Sequence, residues 1–282
     1  MKLTVLVDNH TYIDRYYLGE PAACYLVEDG ERTVLFDTGY SDVFIENARR
    51  MGIDLSRVTD IVLSHGHNDH TGGLAPFLAR FSEPLRLYAH PCAFLAKRCE
   101  GLDIGCRLSP AELPGRVEVH LSKEPVWISA HVRFLGEIPR VYDFERGAVG
   151  ETMVDGASWI ADEIKDDTAI SLAGQDGIFI VTGCAHSGVC NTVAAAKALS
   201  GGDRPLGVLG GFKLFEQNER VARTIETLRS LGVTTLHPCH CTSLAVKCAL
   251  AGAFDVREVG VGLSFSLEEK ETKNALEYGN CN

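Results

Sequence analysis

The sequence predicts an α/β chain built from two similar halves. Two observations carry this reading. Short β-rich apolar runs alternate with longer segments of helical periodicity. The same order, a hairpin followed by helices and further strands, appears once before residue 97 and again after residue 168. The 282 residues and 45% apolar content suit one large domain with a real core. No low-complexity linker separates the halves, so residues 1–282 read as a single domain. The stretch at about 97–168 is rich in Gly, Pro and charge. It reads as an irregular, lid-like insertion, because a connection that long is seldom structureless without a role.

The elements follow in order. TVLV (4–7) is a first strand, too short an apolar run to be a signal-peptide core. ACYLVED (23–29) and RTVLFD (32–37) are β-rich, and Asp29-Gly30 turns the chain between them. Ser41 is placed to cap a helix over SDVFIENARRMG, which Gly52 ends. DIVLS (60–64) is a strand running straight into SHGHNDHTGG (64–73). GGLAPFLARF then reads as helix and LRLYAH (85–90) as strand. In the second half, AISLAG (169–174) and IFIVTGC (178–184) pair over Gln175-Asp176-Gly177. Helices follow at NTVAAAKALS and NERVARTIETLRSLG, the latter with Val221, Ile225 and Leu228 at helical spacing. TTLHPCHCT is a strand that becomes a loop, and SLAVKCALAG is a helix.

Composition narrows the function classes. A net charge of −11 argues against nucleic acid, which needs clustered Lys and Arg, although local basic groups can still bind one small anionic substrate. No stretch approaches the roughly 20 apolar residues that span a bilayer. A cytoplasmic protein with no membrane partner is expected. The ten cysteines form no C-x-x-C pair and no compact disulfide framework, so reduced thiols are expected. Cys92, Cys99 and Cys106 are spaced by seven, but Gly101 and Gly105 interrupt any helix that would align them.

Residues 64–73 carry the chemistry. His65 and His67 are two apart, so an extended backbone points both toward one cation. Asp69 and His70 follow where the chain must turn, and they can reach a second position nearby. Gly72 and Gly73 let the backbone pass close by. Neutral imidazoles and a carboxylate suit Zn²⁺ or a similar first-row ion. His186 and His240 also lie where a strand gives way to a loop, the places that carry function. His237 lies inside its strand and reads as a packed, hydrogen-bonded imidazole. His120 and His131 sit in polar sequence and read as exposed or structural. His10 and His90 are strand-end residues that can line a pocket without binding metal.

With FDTG upstream and an isolated late histidine, SHGHNDHTGG resembles the metallo-β-lactamase fold superfamily. More narrowly, LVDN, LFDTGYSDVFIENARRMGIDLS, LSHGHNDHTGGL, TGCAHSGVCNTV, GGF and PCHCT are similar to one branch. That branch includes the dihydropteridinylmethyl-ribofuranosylaminobenzene-phosphate synthases and members described only as metal-dependent hydrolases. The likeness spans nearly the whole chain. It implies a four-layer αββα sandwich with one or two divalent ions at one rim of the sheets. Zinc is the default by ligand type, with manganese, nickel or iron as alternatives. Carried over residue by residue, His65, His67 and His186 hold one ion and Asp69, His70 and His240 the other. Asp37 lies beneath as an orienting group.

Three positions depart from the branch pattern. Cys184 stands where most superfamily hydrolases have an Asp that bridges the metals; a thiolate ligand and a buried strand-end thiol are both open readings. Glu20-Pro21-Ala22 replaces E-H-G. Lys213 follows GGF where the branch often has His. The last two touch the substrate pocket. Arg140, in GEIPR, is a candidate anion contact by the same resemblance, with a surface ion pair as its other reading. Cys239 and Cys241 flank His240; in an extended strand they face away from it and pack. The expected function is hydrolysis of a small soluble ester, thioester, lactone or phosphodiester by a metal-activated water, with Asp69 orienting that water or taking its proton. The alternative is a transferase that joins a pterin to a phosphorylated aryl riboside with loss of pyrophosphate. Di-iron redox chemistry ranks low, because His67 stands where redox members usually carry Glu. A non-enzymatic metal sensor ranks below an enzyme, because the ligand sets are complete.

Overall fold

The computed structural model describes residues 1–268. Cys281 lies outside them. The first half runs β1 (Lys2–Val7), β2 (Cys24–Asp29), β3 (Arg32–Phe36), α1 (Val43–Met51), β4 (Asp60–Val62), α2 (Asn68–Thr71), α3 (Leu74–Arg80) and β5 (Leu85–Ala89). Then come β6 (Lys97–Cys99), β7 (Leu102–Asp103), β8 (Val117–Leu121), β9 (Val126–Trp127), β10 (Val132–Phe134), β11 (Glu151–Val154) and β12 (Ser158–Ala161). The second half runs β13 (Ala169–Gly174), β14 (Gly177–Thr182), α4 (Val189–Leu199), β15 (Pro205–Gly210), α5 (Glu219–Leu231), β16 (Thr235–Pro238), α6 (Leu244–Ala251), β17 (Asp255–Val256) and β18 (Ser264–Ser266).

Two seven-stranded sheets result, in the orders β18-β1-β2-β3-β4-β5-β8 and β17-β16-β15-β14-β13-β10-β9. They are built alike. An antiparallel pair, β2–β3 or β13–β14, continues outward into parallel strands. Strand alternation sorts their side chains into layers. Leu26 and Leu35 face α1 and α3, where they meet Phe44 and Phe77. Tyr25, Val27 and Phe36 face the other sheet, where Phe134, Leu172, Phe179 and Val181 close the central core. Ile178 and Ile180 face out again, under Val193, Leu228 and Val246 of α4, α5 and α6. Strands buried on both faces read as near-continuous apolar runs. The result is the αββα sandwich.

Two differences from the sequence reading have physical causes. Residues 97–168 are not irregular. β6, β7, β11 and β12 form a four-stranded sheet, β8 closes the edge of the first large sheet, and β9 and β10 extend the second. Most of these strands are only two to four residues long, with Gly, Pro and charge between them, too short to establish a period; only VEVHL of β8 alternates over five residues. β15, central in the second sheet, also escapes sequence notice. Its PLGVLG carries two glycines, which weaken a strand signal. The fold requires one of them: a Cβ on Gly207 would lie 2.7 Å from the Phe179 ring. A smaller difference concerns α1, whose N-cap is Asp42 and not Ser41; the Ser41 hydroxyl still accepts the Val43 N–H at 3.3 Å. Among the described residues no helix is long and apolar enough to cross a membrane, and the cysteines are free thiols.

Candidate metal centre

The C-terminal ends of strands from both sheets meet at one rim. β1 delivers Asp8 and Asn9, β3 delivers Asp37, and β4 runs into the 64–70 loop. From the other sheet, β14 ends in Gly183, Cys184 and His186, and β16 ends in Cys239 and His240. The structure brings all six sequence-predicted ligands together in two groups. His65, His67 and His186 form one. Asp69, His70 and His240 form the other, joined by the thiol of Cys184. Within each group the candidate donor atoms lie within 4.8 Å of one another. The groups abut, since the rings of His65 and His70 are 4.3 Å apart between centroids.

The surroundings fix each ring. Asp37 is fully buried with a φ of +60°. Its Oδ1 accepts the Ser64 N–H at 2.7 Å, and its Oδ2 accepts the Ser64 hydroxyl at 2.7 Å. His70 Nδ1 lies 2.6 Å from the same Oδ2. That contact directs His70 Nε2 at Cys184 Sγ, 3.3 Å away, and at Asp69 Oδ2, 3.5 Å away. Ser64 Oγ also sits 2.9 Å from His65 Nδ1, turning His65 Nε2 into the first group. The backbone N–H of His240 donates to Asp8 Oδ1 at 2.9 Å, and its Nδ1 meets Asn9 Oδ1 at 3.2 Å. Close approach makes Gly183 necessary, because a Cβ there would lie 2.1 Å from Ser64 Oγ.

Three imidazole nitrogens, Nε2 of His67, His186 and His240, are buried and have no hydrogen-bond partner. His240 Nε2 does lie 3.3 Å from Asp69 Oδ2, but without hydrogen-bond alignment. A buried polar atom left unpaired costs about 1–3 kcal/mol, and three of them converge here. Neutral imidazoles with open lone pairs beside a carboxylate and a thiol are the donor set of a soft-to-borderline divalent cation, so the residues fit such an ion.

Electrostatics agree with neutral ligands in the first group. Burial pushes His65 and His186 well below the usual imidazole range, and His67 down to about 3, with neighbouring positive charges adding to the effect on His65 and His186. His70 goes the other way. Burial alone would lower it, but the Asp69 and Asp37 carboxylates raise it to about 10. Asp69 is held well below the carboxylate range; burial opposes this, and the His70 and His240 imidazoles outweigh it. Burial and then the neighbouring Cys241 push the Cys184 thiol up.

Sequence reasoning missed a clamp. The tripeptide Asp166-Asp167-Thr168, just before β13, touches both histidine loops. Asp166 Oδ2 accepts the Gly66 N–H at 2.7 Å, Asp167 Oδ2 accepts the Ser187 N–H at 2.8 Å, and the Thr168 N–H donates to Ser64 O at 2.8 Å. Lys97, 1% exposed, donates to Asp162 at 2.7 Å and to Asp166 at 2.9 Å. Read alone, the tripeptide is a polar strand boundary. Nothing in the sequence marks Lys97 as a lysine the fold buries, so no local signal could have found the clamp.

The other singled-out residues find these places. Arg140 donates to the carbonyls of Glu163 and Ile164, so it holds backbone, and it lines a cavity together with Lys123 and Lys165. Glu20 accepts from the N–H of Tyr40 and Ser41 and from the Ser41 hydroxyl. His237 is packed between Phe179 and Phe265, but its Nδ1 has no hydrogen-bond partner among the described residues. His131 meets Asp29 at 2.9 Å, His120 stacks on Tyr88, and His90 lies 3.2 Å from Glu137. His10 lines a cavity with His240. Cys239 is buried in the central core, 3.2 Å from the Tyr25 hydroxyl. Cys241 lies with its Sγ 3.7 Å from the Cys184 carbonyl. The alternation argument for these two thiols does not apply, because β16 ends at Pro238 and His240 has a φ of +48°.

A family model for the metallo-beta-lactamase superfamily matches residues 18–240. A 7,8-dihydropterin-6-methyl-4-(beta-D-ribofuranosyl)-aminobenzene-5'-phosphate synthase of Methanocaldococcus jannaschii is 28% identical over 264 residues, covering 88% of this chain and 89% of that protein. An uncharacterised protein of the same organism is 30% identical over 242 residues, covering 85% and 90%. A crystal structure described as a metal-dependent hydrolase of the beta-lactamase superfamily superposes with a TM-score of 0.82 at 26% identity, covering 95% of this chain and 100% of that one.

Proposed function

The chain belongs to the metallo-beta-lactamase superfamily, and from that premise we propose that it is a metal-dependent hydrolase of a small soluble ester, thioester, lactone or phosphodiester. The observation that carries the proposal is the convergence of three buried, unpartnered imidazole nitrogens. His65, His67 and His186 hold one divalent ion; Asp69, His70, His240 and Cys184 hold a second, with zinc the best match to imidazole, carboxylate and thiol together. Such an ion supplies Lewis acidity, lowering the pKa of a water toward neutrality and polarising the oxygen under attack. Asp69 is 28% exposed at its side chain while the histidines around it are nearly closed off. Its carboxylate therefore meets the incoming water, orients it and takes its proton. Asp37 holds His70 in the orientation that presents Nε2. We place the protein in the cytoplasm, with a small molecule as its partner and neither nucleic acid nor membrane.

Elemental analysis of the purified protein tests this. His67→Ala and His186→Ala, made separately, are each expected to lose metal from the first group. Unchanged stoichiometry in both variants would falsify the assignment. A screen of phosphodiester, thioester and lactone substrates then selects the reaction. A second reading, pterin transfer with loss of pyrophosphate, is favoured by the name of the Methanocaldococcus relative. Release of pyrophosphate from a pterin diphosphate donor, in the absence of hydrolysis of any screened bond, would select it.

A further inference from the structure

Two thiols meet at the edge of the metal centre. Three segments run side by side there, beyond the ends of β14, β15 and β16. The Gly211 N–H donates to Gly183 O at 2.8 Å, and the Cys239 N–H donates to Gly210 O at 3.0 Å. Further on, the Phe212 N–H donates to Thr242 Oγ1 and the Ser243 N–H to Leu214 O, each at 3.0 Å. Cys184 lies on the first segment and Cys241 on the third. The residues on both sides of Cys241 are thereby tied to the segment between them.

A side chain on the middle segment would keep two such thiols apart. The residue there is Gly211, and a Cβ on it would lie 2.4 Å from Cys241 Sγ and 2.8 Å from Gly183 O. The Cys241 sulfur occupies the space a side chain would take. His240, with a φ of +48°, turns the chain out of the direction of β16 to put it there. Cys241 Sγ thus comes to 3.7 Å from Cys184 O, and the two thiols hydrogen-bond to each other.

The two sulfurs have different surroundings. Cys184 is 2% exposed, its Sγ lies 3.3 Å from His70 Nε2, and it belongs to the second group of donors. Cys241 is partly exposed and belongs to neither group. One thiol is therefore placed to meet a small reagent from solvent, and the other sits behind it at the metal centre. A partly exposed thiol beside a second, resolving thiol is the arrangement on which oxidation stops at a disulfide.

We propose that Cys184 and Cys241 are a modification site for hydroperoxides, closing to a reversible disulfide that withdraws Cys184 from the second metal group. In the first step the Cys241 sulfur attacks the O–O bond of the hydroperoxide. An S–O bond forms, the O–O bond breaks, and the alcohol (water, from hydrogen peroxide) leaves with the thiol proton, giving Cys241 sulfenic acid. In the second the Cys184 sulfur attacks that sulfur. The S–S bond forms, the S–O bond breaks, and hydroxide leaves with the Cys184 proton as water. Two thiols give up two electrons and two protons, and the hydroperoxide is reduced to an alcohol and water. A thiol reductant reverses the change by exchange. The withdrawal rests on the reading of Cys184 as a metal ligand; formation of the bond does not. The first group, His65, His67 and His186, contains no sulfur and is left intact.

Hydrogen peroxide, applied to the chelator-treated and to the zinc-loaded full chain, tests the site. Thiol titration, peptide mass mapping without reductant and zinc affinity are the readouts. The metal-free protein is expected to lose two of its ten thiols and to yield one peptide pair joined through Cys184 and Cys241, both reversed by dithiothreitol. Zinc loading should slow the reaction at least about tenfold, because ion and disulfide compete for one sulfur. The oxidised protein should bind its second zinc at least about tenfold more weakly and its first unchanged. Cys241→Ser and Cys241→Ala should take up zinc as wild type does and form no joined pair; Cys248→Ser, which removes an exposed thiol elsewhere, should oxidise as wild type does. Sulfinic acid at either cysteine without a joined pair, or a pair joined through any other cysteine, would overturn the site. A Cys184–Cys241 bond that leaves both zinc affinities unchanged would overturn the withdrawal and remove Cys184 from the ligands, with the histidines and Asp69 still in place. The same bond in a protein that never takes up metal would support the disulfide and defeat the metal-dependent reading instead.

Discussion

Replacing Asp37 with Asn changes one atom of the carboxylate that ties Ser64 to His70. That group accepts two hydrogen bonds from Ser64 and faces His70 Nδ1 at 2.6 Å, all in full burial. The best arrangement of the amide keeps its oxygen on the Ser64 N–H and turns its NH₂ toward His70 Nδ1. Two outcomes follow. If His70 keeps its Nδ1 proton, two donors face each other. The lost charge-assisted bond costs about 1.5–3 kcal/mol and the unpaired donor about 1–3 more, which together approach half of an ordinary domain's stability of about 5–15 kcal/mol. If His70 instead gives up its Nδ1 proton and keeps one on Nε2, the fold is spared. The hydrogen then points at Cys184 Sγ and Asp69 Oδ2, and the lone pair is removed from the second group. The second route is the cheaper, so Asp37→Asn should fold and bind metal about 10–100-fold more weakly, as outer-shell substitutions do. Competition against a chromophoric zinc chelator, with thermal melts of the metal-free proteins in parallel, reads both quantities. A variant that melts normally and holds its full metal complement within about twofold of the wild-type affinity would refute this account of His70.

Two further outcomes can be measured on the metal-free protein. His67 is pushed to about 3 in the folded chain, below its unfolded value near 6.5, so its contribution is fully present above about pH 6.5 and is lost as pH falls toward 3; His70, raised to about 10, contributes below about pH 6.5 and loses that contribution as pH rises through 10. Melting temperatures across this range should therefore fall less steeply on the acid side in His67→Gln and less steeply on the alkaline side in His70→Gln, and slopes equal to wild type would contradict the assignment. Arg140→Ala should lower stability by about 0.5–1.5 kcal/mol by removing its hydrogen bonds to the Glu163 and Ile164 carbonyls, while leaving KM for an anionic substrate unchanged; a raised KM at unchanged melting temperature would show an anion contact instead.

The site was legible where its information is local. SHGHNDHTGG places four donors in six residues after a strand, and no packing knowledge is needed to see that they converge. His186 and His240 were separable from His237, His120 and His131 because they end strands. That works because the ends of parallel strands are where side chains meet across sheets. Cys184 stayed undecided for the same reason: a strand-end thiol says nothing about which way its sulfur turns, and the answer depends on His70 from the other half of the chain. The helices and the two hairpins were legible from period and turn residues. The strands of 97–168 were not, since runs of two to four residues cannot display a period of two, and the alternation of VEVHL stood alone in a stretch rich in Gly, Pro and charge.

What no local pattern could reveal is how the two halves are held in register. The first group takes His65 and His67 from one sheet and His186 from the other, so its geometry depends on how the sheets sit against each other. Apolar packing between sheets tolerates small slides, because dispersion contacts are individually weak and undirected. Hydrogen bonds of 2.7–2.8 Å are not so tolerant. Asp166 and Asp167 are adjacent residues that each grip a different histidine loop, and Thr168 ties the same short segment to Ser64. Lys97 and Asp162 then fix Asp166 from behind, at the entry and exit of the strands that sequence reading took for a loose insertion. The buried ion cluster is a poor source of net stability, since desolvation offsets much of its attraction. Its directional bonds set the separation of His67 and His186, a distance that apolar packing alone would leave loose.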